Sequence, residues 1–475
     1  MTGIYLVGAF LISGLLFLNR NRLRNRLLVI AFSLLQIGFT VYEYLHINKT
    51  ELTYFTSDSL GILLLSVLCL ISIPAFYHSY VYLGTKQDNP RHTAIYFAAM
   101  VGLLTSITAA YLSNHIAVTW IFVEMTTLSA SALIYHRRNN RSLEGTWKYV
   151  FVCAISITLV FIGILFLSFS LPNAGTDDLS FANLIKKAPQ LNVFWLKLAF
   201  IFIFTGFTAK LGLVPMYTAG IDAKDKAPSP SGALLSSVLM NVGFVSIFRS
   251  YTVVANSPIL QWASHVIIIA AMLSIFVAAV YMTKVKNIKR MFAYSSIEHA
   301  GIIMLGLASG GVGYYAAVLH TVLHSFIKSS LFFQQGQIYR VYQSKSIYDV
   351  GNYFKYNLAG SIVMILAFFF ATAMPPSGLF ISEFMIFRSL FESNYLWILI
   401  IVMILLTIII WAFGKNIFKL VFTPAVDFKE EGIEKINPLE SLSQFILLAL
   451  VVYLGLNPPH QFVTLIQESI KNLPH

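Results

Sequence analysis

Charge is scarce in this chain. Lys, Arg, Asp and Glu make up 11% of its 475 residues, 57% are hydrophobic, and the mean hydropathy is +0.74. A soluble core of this length cannot absorb so much apolar surface, so the composition excludes a soluble globular protein and points to a polytopic membrane protein in contact with a lipid bilayer. Cysteine is nearly absent: Cys69 and Cys153 lie in separate apolar runs with no CxxC pair and no histidine partner beside them. That argues against iron–sulfur, haem or zinc centres, and no metal or cofactor is expected in this chain. A Walker phosphate loop and a dinucleotide-binding glycine fingerprint are missing too. Any energy for work across the membrane is therefore expected from a partner.

Apolar runs suited to crossing a bilayer recur fourteen times, at roughly 3–18, 27–46, 60–82, 92–112, 114–136, 147–171, 191–219, 226–250, 261–282, 290–308, 312–338, 357–390, 395–422 and 438–457. The first run is followed by its basic cluster and lacks a small-residue cleavage site, so it is expected to be a retained helix rather than a signal peptide. Lys and Arg test the division, because they crowd cytoplasmic loops. Alternate loops hold Arg20, Arg22, Arg24 and Arg26; Lys86 and Arg91; Arg137, Arg138, Arg141 and Lys148; Lys224 and Lys226; Lys284, Lys286, Lys289 and Arg290; Arg340, Lys345 and Lys355; and Lys415, Lys419, Lys429 and Lys435. These are 23 of the 32 basic residues, against seven in the opposite loops or helix ends. The pattern places both termini on the non-cytoplasmic side of the inner (plasma) membrane. It also accounts for the net charge of +12 without a nucleic-acid partner.

The basic residues left over, Lys210 and Lys328, lie inside apolar runs, as do Glu124, Glu298 and Glu383. A charge at a helix centre costs roughly 2.5–3.5 kcal/mol, so Lys210 and the three glutamates unpaired would cost on the order of 10 kcal/mol. They are expected to pair or to line a wet path, and charge movement becomes the leading function. In HTVLHSFIKSS, His320, His324 and Lys328 recur at i, i+4 and i+8 and share one helical face. Successive groups are about 6 Å apart along the helix. Imidazoles and an amine so spaced, with water between them, can pass protons.

Helix breakers interrupt the seventh run at Gly212-Leu213-Val214-Pro215 and the twelfth at Pro375-Pro376-Ser377-Gly378. Interrupted helices in corresponding places point to an inverted repeat with ion sites at the breaks. The expected fold is all-α, with about 14 transmembrane helices and two inverted five-helix repeats. The division is 1–90 for an N-terminal three-helix segment, 91–255 and 256–425 for the repeats, and 426–475 for a C-terminal helix and tail.

Several strings together resemble the antiporter-like, proton-translocating membrane subunits shared by respiratory complex I, multisubunit Na+/H+ antiporters and membrane-bound hydrogenases. They are VEMTTLSASALI around Glu124, FTAKLGLVPMYTAGIDAKDKAPSPSGALLSSVLMNVGFVSIFR around Lys210, KRMFAYSSIEHAGIIMLGLASGG, HTVLHSFIKSSLFFQQGQIY, and MPPSGLFISEFMIF around Glu383. The resemblance spans roughly residues 90–420. RSLEGTWKY, KAPSPSGALLSSVLMN and YSSIEHAGI are most similar to the component F branch of hydrogenase-4 and formate hydrogenlyase. The resemblance implies that Glu124 and Lys210 act together, that His320, His324 and Lys328 form a relay, and that Glu383 is the terminal group. It also implies sister antiporter-like chains and a peripheral redox arm as partners. One departure stands out: Asn241 occupies the place where several relatives carry a bridging lysine, so protons are expected to cross the centre through water, Ser236, Ser237 and Asn241.

Plainer roles remain open for these residues. Lys210 could cap the half-helix ending at Gly212, and Glu124 could merely neutralise it. His320 and His324 could be packing residues. Glu298 could snorkel or pair with Lys289, and His299 beside it could be equally structural. Two other functions are weighed: a cation/proton antiporter or a membrane component of ion-coupled inorganic-carbon uptake, and an intramembrane enzyme using His320 or His299. The enzyme is disfavoured, because no nucleophile and base stand at helical spacing.

Overall fold

Long apolar runs form helices because a helix satisfies its own backbone hydrogen bonds where lipid offers no partner. The computed structural model describes residues 1–84, 89–172, 178–425 and 433–474. Among them are α1 (Thr2–Leu18), α2 (Arg22–Leu45), α3 (Ser59–Gly84), α4 (Pro90–Leu112), α5 (Ile116–Ile134), α6 (Asn140–Ser170) and α7 (Phe181–Lys187). The chain continues through α8 (Val193–Leu211), α9 (Thr218–Lys226), α10 (Ser229–Ser236), α11 (Val238–Ala255), α12 (Leu260–Lys284), α13 (Ile288–Ser309) and α14 (Val312–Tyr342). Then come α15 (Tyr353–Tyr356), α16 (Leu358–Ala371), α17 (Gly378–Glu392), α18 (Leu396–Phe422), α19 (Leu442–Leu456) and α20 (His460–Ile470). A small antiparallel hairpin pairs Thr50–Glu51 with Phe55–Thr56 between α2 and α3, a departure from the all-helical expectation confined to a connecting loop.

This is a multi-pass membrane protein, with twelve described segments long and apolar enough to cross a bilayer. The fourteen expected runs differ from that number for a local reason. The first, α1, has 17 residues, and the twelfth is split so that α16 keeps only 14. The Ser229–Ala255 segment, α13 and α14 are each buried throughout their most apolar 18-residue stretch, whereas only a third of that stretch is buried in α2, α6 and α18. The outer helices turn Trp147, Phe151, Trp397 and Trp411 outward, a face suited to lipid or to another apolar protein.

The breaks lie where glycine and proline placed them. After Leu211, Gly212 takes a left-handed φ of +82°, which favours a residue without Cβ, and its N–H donates to the Thr208 carbonyl at 2.8 Å. The Val214 N–H donates to Ser274 Oγ of α12 at 2.9 Å, so the loop inside the bundle is not left unsatisfied. α17 begins at Gly378 with Ser377 Oγ accepting from the N–H groups of Leu379 and Phe380. An unexpected interruption falls at Ser237, which separates α10 from α11. Gly243 of α11 packs on the backbone of Lys210 and Leu211, and a Cβ there would collide with it. The end of α8 is thereby pinned against the fully buried layer.

An ionic cluster closes the far end of α9. Asp225 accepts from Lys226 at 2.8 Å, Lys345 at 2.5 Å and Asn287 at 2.9 Å, and Arg290 bonds Asp222. Burial works against the Asp225 charge, but Lys345 and Lys226 outweigh it and hold its carboxyl well below the usual carboxylate range. Of the basic residues expected in loops, Lys224 and Lys289 are instead buried, at 4% and 3% exposure. Lys86 and Lys429 lie outside the described residues.

Candidate functional site

Lys210, in the last turn of α8, is buried beside the break. Its Nζ donates to Thr127 Oγ1 of α5 at 2.8 Å and to the Tyr149 hydroxyl of α6 at 3.2 Å, and lies over the Tyr149 ring, 5.3 Å from its centroid. Thr127 in turn donates to Glu124 Oε2 at 3.1 Å, one turn back along α5. The expected pair is thus a line of three groups, and no ion pair within 4 Å joins Lys210 to Glu124 directly. Nor is Glu124 enclosed: it is only half-buried, because Ile121 and Leu128 on the same face of α5 point outward. Thr127 turns the other way, into the bundle.

A second group lies between α13, α14 and α17. Lys328 donates to Ser295 Oγ at 2.6 Å, and Glu298 follows Ser295 three residues on along α13. Glu298 lies 3.6 Å from His299 Nδ1, His299 Nδ1 and His320 Nε2 are 3.1 Å apart, and His320 Nδ1 meets Ser382 Oγ at 3.0 Å. Glu383 follows Ser382 on α17, beyond the break. Beside the expected i, i+4 series along α14 stands His299 of α13, its ring 5.2 Å from that of His320 and 5.1 Å from that of His324. Glu298 does not pair with Lys289, whose Nζ donates instead to the Ala227 carbonyl at 2.7 Å. Every group of this line is buried, and the Nε2 atoms of His299 and His324 have no hydrogen-bond partner among the described residues.

The expected Ser236, Ser237 and Asn241 fall at the end of α10, at the break after it and in α11. Asn241 Nδ2 donates to Ser325 Oγ at 2.9 Å, joining α11 to α14 next to His324. Ser236 Oγ is buried with no hydrogen-bond partner among the described residues, whereas Ser237 Oγ donates at 2.7 Å to the Ala233 carbonyl of its own helix. A fully buried ammonium, Lys224 Nζ, stands here with Met240 Sδ at 3.4 Å.

Sequence reasoning missed Thr127, Tyr149, Ser295, Ser382 and Lys224. A faint signal existed for three of them, since Thr127 and Ser295 are one turn from a buried glutamate and Ser382 adjoins another. For Lys224 there was none: DAKDK looks like an ordinary loop cluster. His299, His320 and Glu383 bring ligand atoms within 4.8 Å of one another, the described group that could hold a metal ion, although none was expected in this chain.

Residues 113–409 match the family described as NADH:quinone oxidoreductase/Mrp antiporter, TM. A Hydrogenase-4 component F homolog from Methylacidiphilum infernorum is 30% identical over 398 residues, covering 82% of each chain. Among solved structures, a chain of an archaeal membrane-bound sulfane sulfur reductase superposes with a TM-score of 0.87 at 18% identity, covering 99% of this chain and 97% of that one. A chain of the Mrp complex from Dietzia sp. superposes with a TM-score of 0.85 at 14% identity, covering 99% and 96%.

Proposed function

This chain belongs to the NADH:quinone oxidoreductase/Mrp antiporter transmembrane family, and on that premise we propose that it is a proton-translocating membrane subunit of a redox-driven complex of the complex I or membrane-bound hydrogenase type. The observation that carries the reading is the pair of polar lines, Lys210–Thr127–Glu124, which runs from a buried amine to a half-buried carboxylate, and Glu298–His299–His320–Ser382, which is buried throughout. Protons are taken up from the cytoplasmic side near Lys210 and Glu124, cross to His324 and Lys328, and leave near Glu383. Hydroxyls rather than a carboxylate hold the Lys210 ammonium. A carboxylate that approaches or withdraws then changes how firmly the amine keeps its proton. Movement of α5 by a neighbouring chain would supply that change.

The architecture that suits this path has fourteen spans, with the α8 and α16 breaks as counterparts in two inverted repeats, 91–255 and 256–425, flanked by 1–90 and 426–475. Both termini lie outside. Sister antiporter-like chains and a peripheral redox arm complete the complex, and the likeness to a Hydrogenase-4 component F homolog supports the hydrogenase branch.

The test is proton uptake by everted vesicles energised with NADH, formate or hydrogen in turn. Lys210→Ala is expected to abolish uptake while the complex still assembles, and Lys210→Arg to do nearly as much harm because a guanidinium does not give up its proton in proteins. Wild-type uptake by Lys210→Arg would make Lys210 a fixed positive charge and end the relay mechanism. Uptake that instead requires Na+ would favour a cation/proton antiporter.

A further inference from the structure

Lys224 is the buried cation that the path above does not use. It lies in the last turn of α9, where a lysine would ordinarily reach forward to the helix's final carbonyls. It does the opposite. Its Nζ lies 3.9 Å from where a Cβ on Gly220 would stand, so the side chain runs back one turn, away from those carbonyls and away from the Asp225 cluster. Lys226, two residues on, enters that cluster instead. The polar contact made by Lys224 Nζ is the sulfur of Met240, a weak acceptor, and no acidic side chain lies within 4 Å of it among the described residues.

The surroundings of Lys224 reach both halves of the proton path. It lines, with Lys210, Tyr149 and Leu239, a cavity of about 20 Å³, room for roughly one water molecule. Met240, which it touches, precedes Asn241, and Asn241 bonds Ser325 next to His324. Ser236 Oγ and His324 Nε2 are among the buried polar atoms with no hydrogen-bond partner among the described residues, groups that water would join.

Resting on the proton-translocation reading, we propose that Lys224 is the proton carrier that bridges Lys210 to His324 and Lys328 across the centre of the protein. An amine on α9 thus does work for which α11 has only an amide, Asn241. The proton passes from the Lys210 ammonium through one water to the Lys224 amine, then onward to the His324 imidazole, each donor returning to its neutral form. No bond other than N–H and O–H is made or broken.

The experiment uses the whole membrane complex in everted vesicles, with protons taken up per electron as the readout. Lys224→Met, which keeps the length and fills the site, is expected to lower that ratio about tenfold or more while electron transfer continues. Lys224→His is expected to keep at least about half of it, since imidazole also carries protons. In Lys224→Met with Asn241→Lys, the new amine lies beside Met240 and Ser325, and uptake is expected to recover. Uptake at the wild-type ratio by Lys224→Met would overturn the proposal. So would a loss that Asn241→Lys does not restore, because that would place Lys224 at the cytoplasmic mouth and not at the centre. If Lys224→Met does not assemble on native gels, Lys224→His and Lys224→Gln decide the matter: equal ratios for the two exclude a carrier. Lys210→Ala in the same vesicles separates the two claims. If it pumps normally the translocation reading itself fails, whereas loss there with none in Lys224→Met removes only the bridge.

Discussion

Thr127 takes a hydrogen bond from Lys210 and gives one to Glu124, so the two charged groups that the sequence pairs communicate through a neutral one. Without that hydroxyl, Lys210 keeps Tyr149 alone, and a buried donor left unmatched costs about 1–3 kcal/mol. Thr127→Val, nearly isosteric, is expected to slow proton uptake about tenfold or more, whereas Thr127→Ser keeps most of it. Initial rates in vesicles check this, and equal rates for the valine and wild-type forms would remove Thr127 from the path. The charged members of the site were legible in the sequence because a charge in an apolar run has to be accounted for. Their neutral partners were not, since Thr, Ser and Tyr are ordinary in membrane helices. Lys224 was hidden for a different reason: about half a helix turn separates a side chain that folds inward from Lys226, which joins the ionic cluster, and composition does not record that rotation.

At the scale of elements, glycine and proline made both long breaks readable, because Gly212 and the Pro375–Gly378 run forbid a continued helix. The interruption at Ser237 carries no such residue and so left no mark in the sequence. The lateral step from α14 to α13 at His299 was likewise invisible, since periodicity reports faces within a helix and not the partner across it. The α9 segment carries Lys224 and is anchored at its end by Asp225. Asp225→Asn is expected to reduce stability by about 2 kcal/mol, less than the loss of a fully enclosed pair because Lys345 and Arg290 are partly exposed. The carboxyl is held below its ordinary range, so its contribution is fully present above about pH 4 and fades as pH falls through the lower folded value. Thermal midpoints in detergent should therefore differ between wild type and Asp225→Asn by the same amount at pH 6 and pH 8, and the gap should narrow below about pH 4. A gap that widens on acidification would contradict this assignment.

For the whole molecule, the loop bias of 23 basic residues against seven predicts which loops face the cytoplasm. Reporter fusions after Arg141 and after Lys289 are expected to read cytoplasmic, and fusions near Lys187 and at the C-terminus external. A cytoplasmic C-terminus would refute the fourteen-span arrangement. The outward aromatic faces of α6 and α18 and the half-exposed Glu124 suit a chain that is flanked by other membrane proteins. The central claim is that one buried row of groups carries the proton from Lys210 to Glu383, and Lys328 is its midpoint, fully enclosed and bonded to Ser295. The most direct test is the number of protons moved per electron in vesicles bearing Lys328→Met. The account predicts continued electron transfer with proton movement lost, and a wild-type ratio would contradict it.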